Sequence, residues 1–128
     1  MKILTDLVAR ILFILPLVGF GFGHFMNANA MAGMVPSFIP GGVFWVYLTG
    51  AALIAAAISI MIKKKAALAT LLLGIMLVIF ALSMHLPGMM NAADEAAGMA
   101  SMAMMLKDLG LAGAAFFMSG KFSEDEAA

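Results

Sequence analysis

The chain has 128 residues, of which 65% are hydrophobic and 11% are charged, and its seven basic and seven acidic side chains give a net charge of zero. Soluble domains carry about 25% charged residues, and a soluble core of this size could not bury so much apolar surface. The composition therefore predicts a membrane protein without a domain that binds nucleic acid. The absence of cysteine excludes disulfides and thiolate metal sites.

Four apolar runs follow one another along the chain, at residues 7–26, 43–62, 66–86 and 98–119. Each has about 20 residues, the length that an α-helix needs to cross ~30 Å of hydrocarbon. We therefore predict an all-α membrane protein, in which residues 1–128 form a single domain. Its four transmembrane helices pack as a bundle, and a flexible acidic tail follows at residues 122–128.

The basic residues predict the orientation, because Lys and Arg near the ends of spans stay preferentially on the cytoplasmic side. The loops at residues 27–42 and 87–97 contain neither Lys nor Arg. The basic residues near the opposite ends of the spans are Lys2, Arg10, Lys63, Lys64, Lys65 and Lys121. Both termini are therefore predicted to be cytoplasmic.

The first run also resembles a secretory signal, since Lys2 and Arg10 precede an apolar stretch and the Ala-Asn-Ala triplet at 28–30 resembles a cleavage site. The apolar stretch is longer than the 7–15 residues, roughly, of a signal, and Asp6 interrupts the positive leader. We favour retention of this segment. Cleavage would leave three spans in the same orientation.

Proline, glycine and aromatic residues mark the breaks between helices. Pro16 is expected to kink the first span, because proline lacks the N–H that a helix interior requires. Pro36 and Pro40 predict an ordered turn or a re-entrant cap in the first loop. Trp45 and Tyr47 open the second span at the depth where amphipathic rings gather, which indicates the outer interface.

Small residues predict the packing faces, because helices in lipid associate where small side chains allow close approach. The second run is rich in such residues: Gly50, Ala51, Ala52, Ala55, Ala56, Ala57 and Ser59. Successive residues of a helix are roughly 100° apart. His85 therefore lies on one face of the third run with four small residues of that run: Ala67, Thr70, Gly74 and Ala81. Lys107 lies close to a similar face of the fourth run: Ala100, Ala103, Gly110 and Ala114. Both polar residues are therefore predicted to face the bundle.

A polar pocket is predicted in the outer half of the bilayer, where ionisable and hydroxyl side chains of all four spans lie at a similar depth. Its candidate residues are His24, Tyr47, Thr49, His85, Lys107 and Asp108. An ionisable residue inside a span is costly, and by default it indicates a functional site.

Two alternatives to this pocket stay open. If the fourth helix enters the membrane near Met104, Lys107 can extend its ammonium to the surface and Asp108 lies in the first turns. The histidines could equally be bonded to a nearby carbonyl. For Asp6 and Arg10 we expect an interfacial ion pair of little consequence.

Methionine supplies a second hypothesis, a Cu(I) site, because thioether sulfur is a soft ligand. Its candidate ligands are Met84, His85, Met89, Met99 and Met102. Methionine is also a flexible apolar filler, and no acidic or thiolate ligand lies nearby. The chain has no Gly-rich phosphate loop and no nucleophile elbow. We therefore expect that it is not an enzyme on its own.

Three segments in order carry a family resemblance: GFGFGHF at residues 19–25, MVPSFIP at 34–40 and WVYLTG at 45–50. Together they resemble the DoxX family of small four-helix bacterial membrane proteins. The third and fourth spans agree with that family only in number, length and polarity. Relatives commonly carry an acidic residue just after the Thr-Gly, where this chain has Ala51-Ala52-Leu53, so a role of that carboxylate does not transfer.

The resemblance implies an accessory subunit or assembly partner of a quinone- or sulfur-linked redox complex in a bacterial cytoplasmic membrane. Its partners would be the lipid bilayer and other subunits of that complex, and self-association is left open. His24, Tyr47, Thr49 and Lys107 would offer hydrogen bonds to a quinone or a small sulfur species. A purely structural subunit and a small-solute conduit are the rival functions. The apolar cytoplasmic half of the spans argues against the conduit.

Overall fold

The computed structural model describes residues 1–128 and is helical over 85% of them, with no strands. Its helices are α1 (Leu4–Met26), α2 (Ala28–Ala32), α3 (Gly42–Ile62), α4 (Ala66–Met90) and α5 (Glu95–Ala127). All except the short α2 are long and apolar enough to cross a membrane. This confirms the predicted all-α class with four such helices.

The helices extend beyond the apolar runs that predicted them, most of all at the end of α5. Asp94 caps the start of α5, because its Oδ1 accepts a hydrogen bond of 2.8 Å from the Ala97 N–H. We expected a flexible tail at residues 122–128, but α5 continues to Ala127. Lys121 Nζ lies 3.0 Å from Asp125 Oδ1 one turn later, an ion pair that supports helix in this acidic segment.

The chain divides into two compact units, residues 1–69 and residues 70–128. In the first unit, α1 and α3 run antiparallel and approach each other closely at Gly21 and Gly50. A Cβ atom on Gly50 would lie 2.9 Å from the Cβ of His24 and 3.0 Å from the carbonyl oxygen of Gly21. Of the predicted small residues of α3, Gly50, Ala56 and Ala57 are buried, whereas Ala51, Ala52 and Ala55 are exposed.

The connection between α1 and α3 is an ordered cap. The helix α1 continues through Pro16 and ends at Met26, and α2 follows almost directly. Gly41 then has a φ of +89°, a left-handed conformation that glycine adopts without steric cost. The indole Nε1 of Trp45 donates a hydrogen bond of 2.7 Å to the Pro40 carbonyl, so the aromatic residue at the start of α3 holds the turn in place.

In the second unit, α5 packs antiparallel against the part of α4 that follows residue 69. A Cβ atom on Gly74 would fall onto the ring of Phe116, and one on Gly88 would lie 3.0 Å from the Ser101 hydroxyl. The predicted face of α4 is confirmed for four residues that are all buried: Thr70, Gly74, Ala81 and His85.

The predicted packing face of α5 is wrong. Its predicted residues are all exposed: Ala100, Ala103, Gly110 and Ala114. The buried residues lie on a neighbouring line: Asp108, Ala112, Ala115 and Phe122. The helix α5 carries small residues on more than one face, and the line that packs is the one that includes Asp108, whose carboxylate contacts His85.

Candidate functional site

Three ionisable side chains of the second unit form one buried cluster, which we call the Asp108 cluster: His85, Lys107 and Asp108. Asp108 is 3% exposed and His85 is 6% exposed. The Oδ2 atom of Asp108 lies 3.1 Å from His85 Nε2, and its Oδ1 atom lies 3.2 Å from Lys107 Nζ. Both carboxylate oxygens therefore have a nitrogen partner between two largely apolar helices.

The backbone around His85 departs from a regular α-helix. Residues Ala81–His85 form a π-helical turn, in which the N–H of Leu86 reaches back to the carbonyl of Ala81. Pro87 follows at once and has no N–H to continue the regular ladder. Single π-helical turns inside α-helices occur frequently at functional sites. Here the turn ends at the histidine that contacts Asp108.

Lys107 is the most accessible member of the cluster. Its side chain is 29% exposed, against 5% for the side chain of Asp108. Its Nζ also lies 3.9 Å from the sulfur of Met104, one turn earlier in α5. The lysine thus connects a buried carboxylate with the surface of the helix pair, and it is the member that an incoming molecule would meet first.

The six predicted pocket residues fall into two sets. The structure brings His85, Lys107 and Asp108 into direct contact in the second unit. The remaining three lie in the first unit, where His24 lies in the last turn of α1 and Tyr47 and Thr49 lie near the start of α3.

The three predicted pocket residues of the first unit have different surroundings. His24 Nδ1 donates to the carbonyl of Phe20 in its own helix, at 2.6 Å, which is the carbonyl-bonded alternative that the sequence left open. The ring of Tyr47 stacks at a tilt on Phe25, with ring centroids 5.8 Å apart. Thr49 is half-buried.

A second charged cluster lies in the first unit, at the end opposite to His24 and Tyr47. Asp6 Oδ1 lies 2.9 Å from Arg10 Nε, and Asp6 Oδ2 lies 2.8 Å from Lys63 Nζ. The buried Arg10 also donates through Nη1 to the Met61 carbonyl at 2.7 Å. The ion pair expected from the sequence thus joins α1 to the end of α3 and satisfies a carbonyl that the helix leaves open.

Replacing Arg10 by lysine is expected to lower the free energy of unfolding by about 1–2 kcal/mol. A single ammonium cannot pair with Asp6 and cap the Met61 carbonyl in the geometry of the planar guanidinium. Thermal unfolding in detergent measures the change. Lys121→Arg, an exchange in an exposed ion pair, is the control and should leave Tm unchanged. An equal Tm for Arg10→Lys and the wild type would contradict the bridging role.

The methionines of the Cu(I) hypothesis lie near the turn between α4 and α5. Met84 and Met89 are half-buried, whereas Met99 and Met102 are exposed. No group of three His, Cys, Asp or Glu side chains is arranged to hold a metal ion. Copper binding through thioether sulfur stays a prediction.

Comparison with known proteins supplies a family. Residues 13–115 match the model of a family described as Domain of unknown function (DUF8561), which covers most of the chain. The chain belongs to the DUF8561 family. The DUF8561 region contains every residue of the Asp108 cluster as well as His24, Tyr47 and Thr49, whereas Asp6 and Arg10 precede it. No curated protein and no solved structure matches the chain. The resemblance to the DoxX family stays a prediction.

Proposed function

We propose that this member of the DUF8561 family is a small accessory subunit of a bacterial membrane redox complex, and that its Asp108 cluster holds the polar headgroup of a quinone. The observation that carries the proposal is the burial of a carboxylate, with a histidine and a lysine on its two oxygens, inside a pair of apolar helices. The DoxX-like segments at residues 19–50 support the redox context.

The stability of the helix pair does not by itself explain the cluster. A charged side chain at the centre of a bilayer costs about 2.5–3.5 kcal/mol on insertion scales. Replacing a buried ion pair by apolar residues of similar volume is often neutral or stabilising. A cluster that apolar residues could replace without loss of stability points to a role in binding or chemistry.

The position of the cluster along the helices fits a ligand that is dissolved in the membrane. Lys107 follows Glu95 by roughly 18 Å of helix and precedes Lys121 by roughly 21 Å. With the charges at both ends of α5 at the membrane surfaces, the cluster lies within the hydrocarbon. With both termini cytoplasmic, His85 lies roughly 30 Å from Lys65 along α4 and therefore near the outer end of that span.

The donor set fits a quinone carbonyl. The Lys107 ammonium carries three N–H donors and is the accessible member of the cluster. Asp108 holds it in place and supplies the countercharge, and His85 contacts the other oxygen of that carboxylate. A quinone oxygen accepts hydrogen bonds, so it would bind at the exposed side of Lys107. A small oxidised sulfur species also accepts hydrogen bonds and is the alternative ligand for this position.

A purely structural subunit is the second candidate function. It is favoured by the complete pairing of the Asp108 carboxylate, since both oxygens already have partners within the chain. In that case the cluster would fix the register of α5 on α4 and no ligand would bind.

Quinone retention separates the two functions. Wild-type protein purified in a mild detergent should carry extractable quinone, and Lys107→Ala should bind it about tenfold or more weakly, because a charge-assisted hydrogen bond contributes roughly 1.5–3 kcal/mol. Chromatography of the extracted lipids measures the quinone per protein. Lys121→Ala is the matched control, because that lysine pairs only with exposed carboxylates in the acidic segment. Wild-type protein without quinone, or equal retention in Lys107→Ala, would favour the structural subunit.

A further inference from the structure

Three consecutive lysines form the turn between two helices that are long enough to cross a membrane. Lys63 follows the last residue of α3, and Lys65 precedes the first residue of α4. All three are exposed, and Lys63 and Lys65 have φ values of 57° and 52°. The turn is therefore tight, and it concentrates three positive charges at one end of two apolar helices.

The chain provides only one carboxylate for this concentration of charge. Asp6 pairs with Lys63 at 2.8 Å and with Arg10 at 2.9 Å, so a single negative charge already serves two cations. The salt bridges of the chain include neither Lys64 nor Lys65. Two ammonium groups thus have no carboxylate partner.

The start of α4 adds to the positive potential. Its first turn has no acidic residue, and the positive end of a helix dipole lies where the two lysines already are. No acidic side chain in the first turn of α4 offsets the lysine charges, which favours an anion from outside the chain.

We propose that Lys64 and Lys65 bind the phosphate-bearing headgroup of an anionic phospholipid. The turn joins two apolar helices, and its lysines therefore lie at the level of the lipid headgroups when those helices span the bilayer. Basic residues next to a span are attracted to anionic lipid there. The proposal is independent of a redox role, because the turn and the Asp108 cluster use different residues.

The test uses native mass spectrometry of the full chain, released from detergent that contains equal amounts of phosphatidylglycerol and phosphatidylcholine. The wild type should retain phosphatidylglycerol preferentially. Lys64→Gln/Lys65→Gln should weaken that retention by roughly 25-fold, since each of the two lysines near an anionic surface contributes a factor of about five. Lys64→Arg/Lys65→Arg should keep it, because the charge is preserved. Lys121→Gln should also keep it, because Lys121 pairs with Asp125.

Three results would overturn the proposal. One is equal retention of the two lipids by the wild type, and another is unchanged retention in the Lys64→Gln/Lys65→Gln variant. The third is displacement of phosphatidylglycerol by an equal concentration of inorganic phosphate, which would identify a site for a free anion. If the glutamine variant fails to fold, loss of retention in the arginine variant, which keeps the charges, overturns it as well.

Discussion

Asp108→Ala is expected to lower the free energy of unfolding by about 3 kcal/mol. The substitution removes the carboxylate that contacts His85 and Lys107, and it leaves these two polar side chains without that contact between two largely apolar helices. Losing one member of a buried ion pair is destabilising because the desolvation of the remaining charge is no longer offset. Denaturant titration in detergent micelles measures the change.

Replacing the whole cluster is expected to restore the stability. In His85→Leu/Lys107→Met/Asp108→Leu no charge remains to be desolvated, and the free energy of unfolding should return to the wild-type value or exceed it. Asp125→Ala removes a carboxylate from an exposed ion pair and is the control, with an expected change near zero. A triple variant as unstable as Asp108→Ala would mean that these polar side chains stabilise the helix pair themselves.

Gly50→Leu is expected to destabilise the first unit by about 3 kcal/mol or more. Even a Cβ atom at this position would lie 2.9 Å from the Cβ of His24 and 3.0 Å from the backbone oxygen of Gly21. Neither atom belongs to the flexible end of a side chain, so α1 must move away from α3 to make room. The thermal midpoint of unfolding in detergent, followed by the fluorescence of Trp45 in α3, measures the loss of stability.

Gly19→Leu is the matched control for Gly50→Leu. Gly19 lies in α1, and a Cβ atom there would meet nothing within 4 Å. Leucine is also a better helix former than glycine by roughly 1 kcal/mol, so this variant should be neutral or slightly stabilised. Equal losses in the two variants would show that glycine is required for backbone freedom and not for close approach.

The sequence predicted the class and the four long helices because hydrophobic length is a strong and local signal. It also predicted the buried face of α4, where Thr70, Gly74 and Ala81 repeat at helical spacing with His85. The same rule failed for α5. Small residues there occur on several faces, and the rule cannot choose between a line through Gly110 and a line through Ala112. In the structure the buried line is the one through Ala112, which also includes Asp108.

Residue spacing does not predict contacts between distant parts of the chain. The pairing of Asp6 with Arg10, four residues apart, could be predicted from helix geometry. The contact of Asp6 with Lys63 could not, because it depends on how α1 lies against α3. Likewise, spacing placed Lys107 near a packing face, but only the structure gives the order of burial within the Asp108 cluster, from the buried carboxylate to the partly exposed lysine.

The quinone content of the His85→Leu/Lys107→Met/Asp108→Leu variant tests most directly whether the Asp108 cluster is a ligand site. Because this variant is expected to remain folded, its quinone content reports on the site and not on unfolding. We predict a folded protein that carries no quinone when it is purified beside a wild type that does. A triple variant that retains as much quinone as the wild type would contradict quinone binding at the Asp108 cluster.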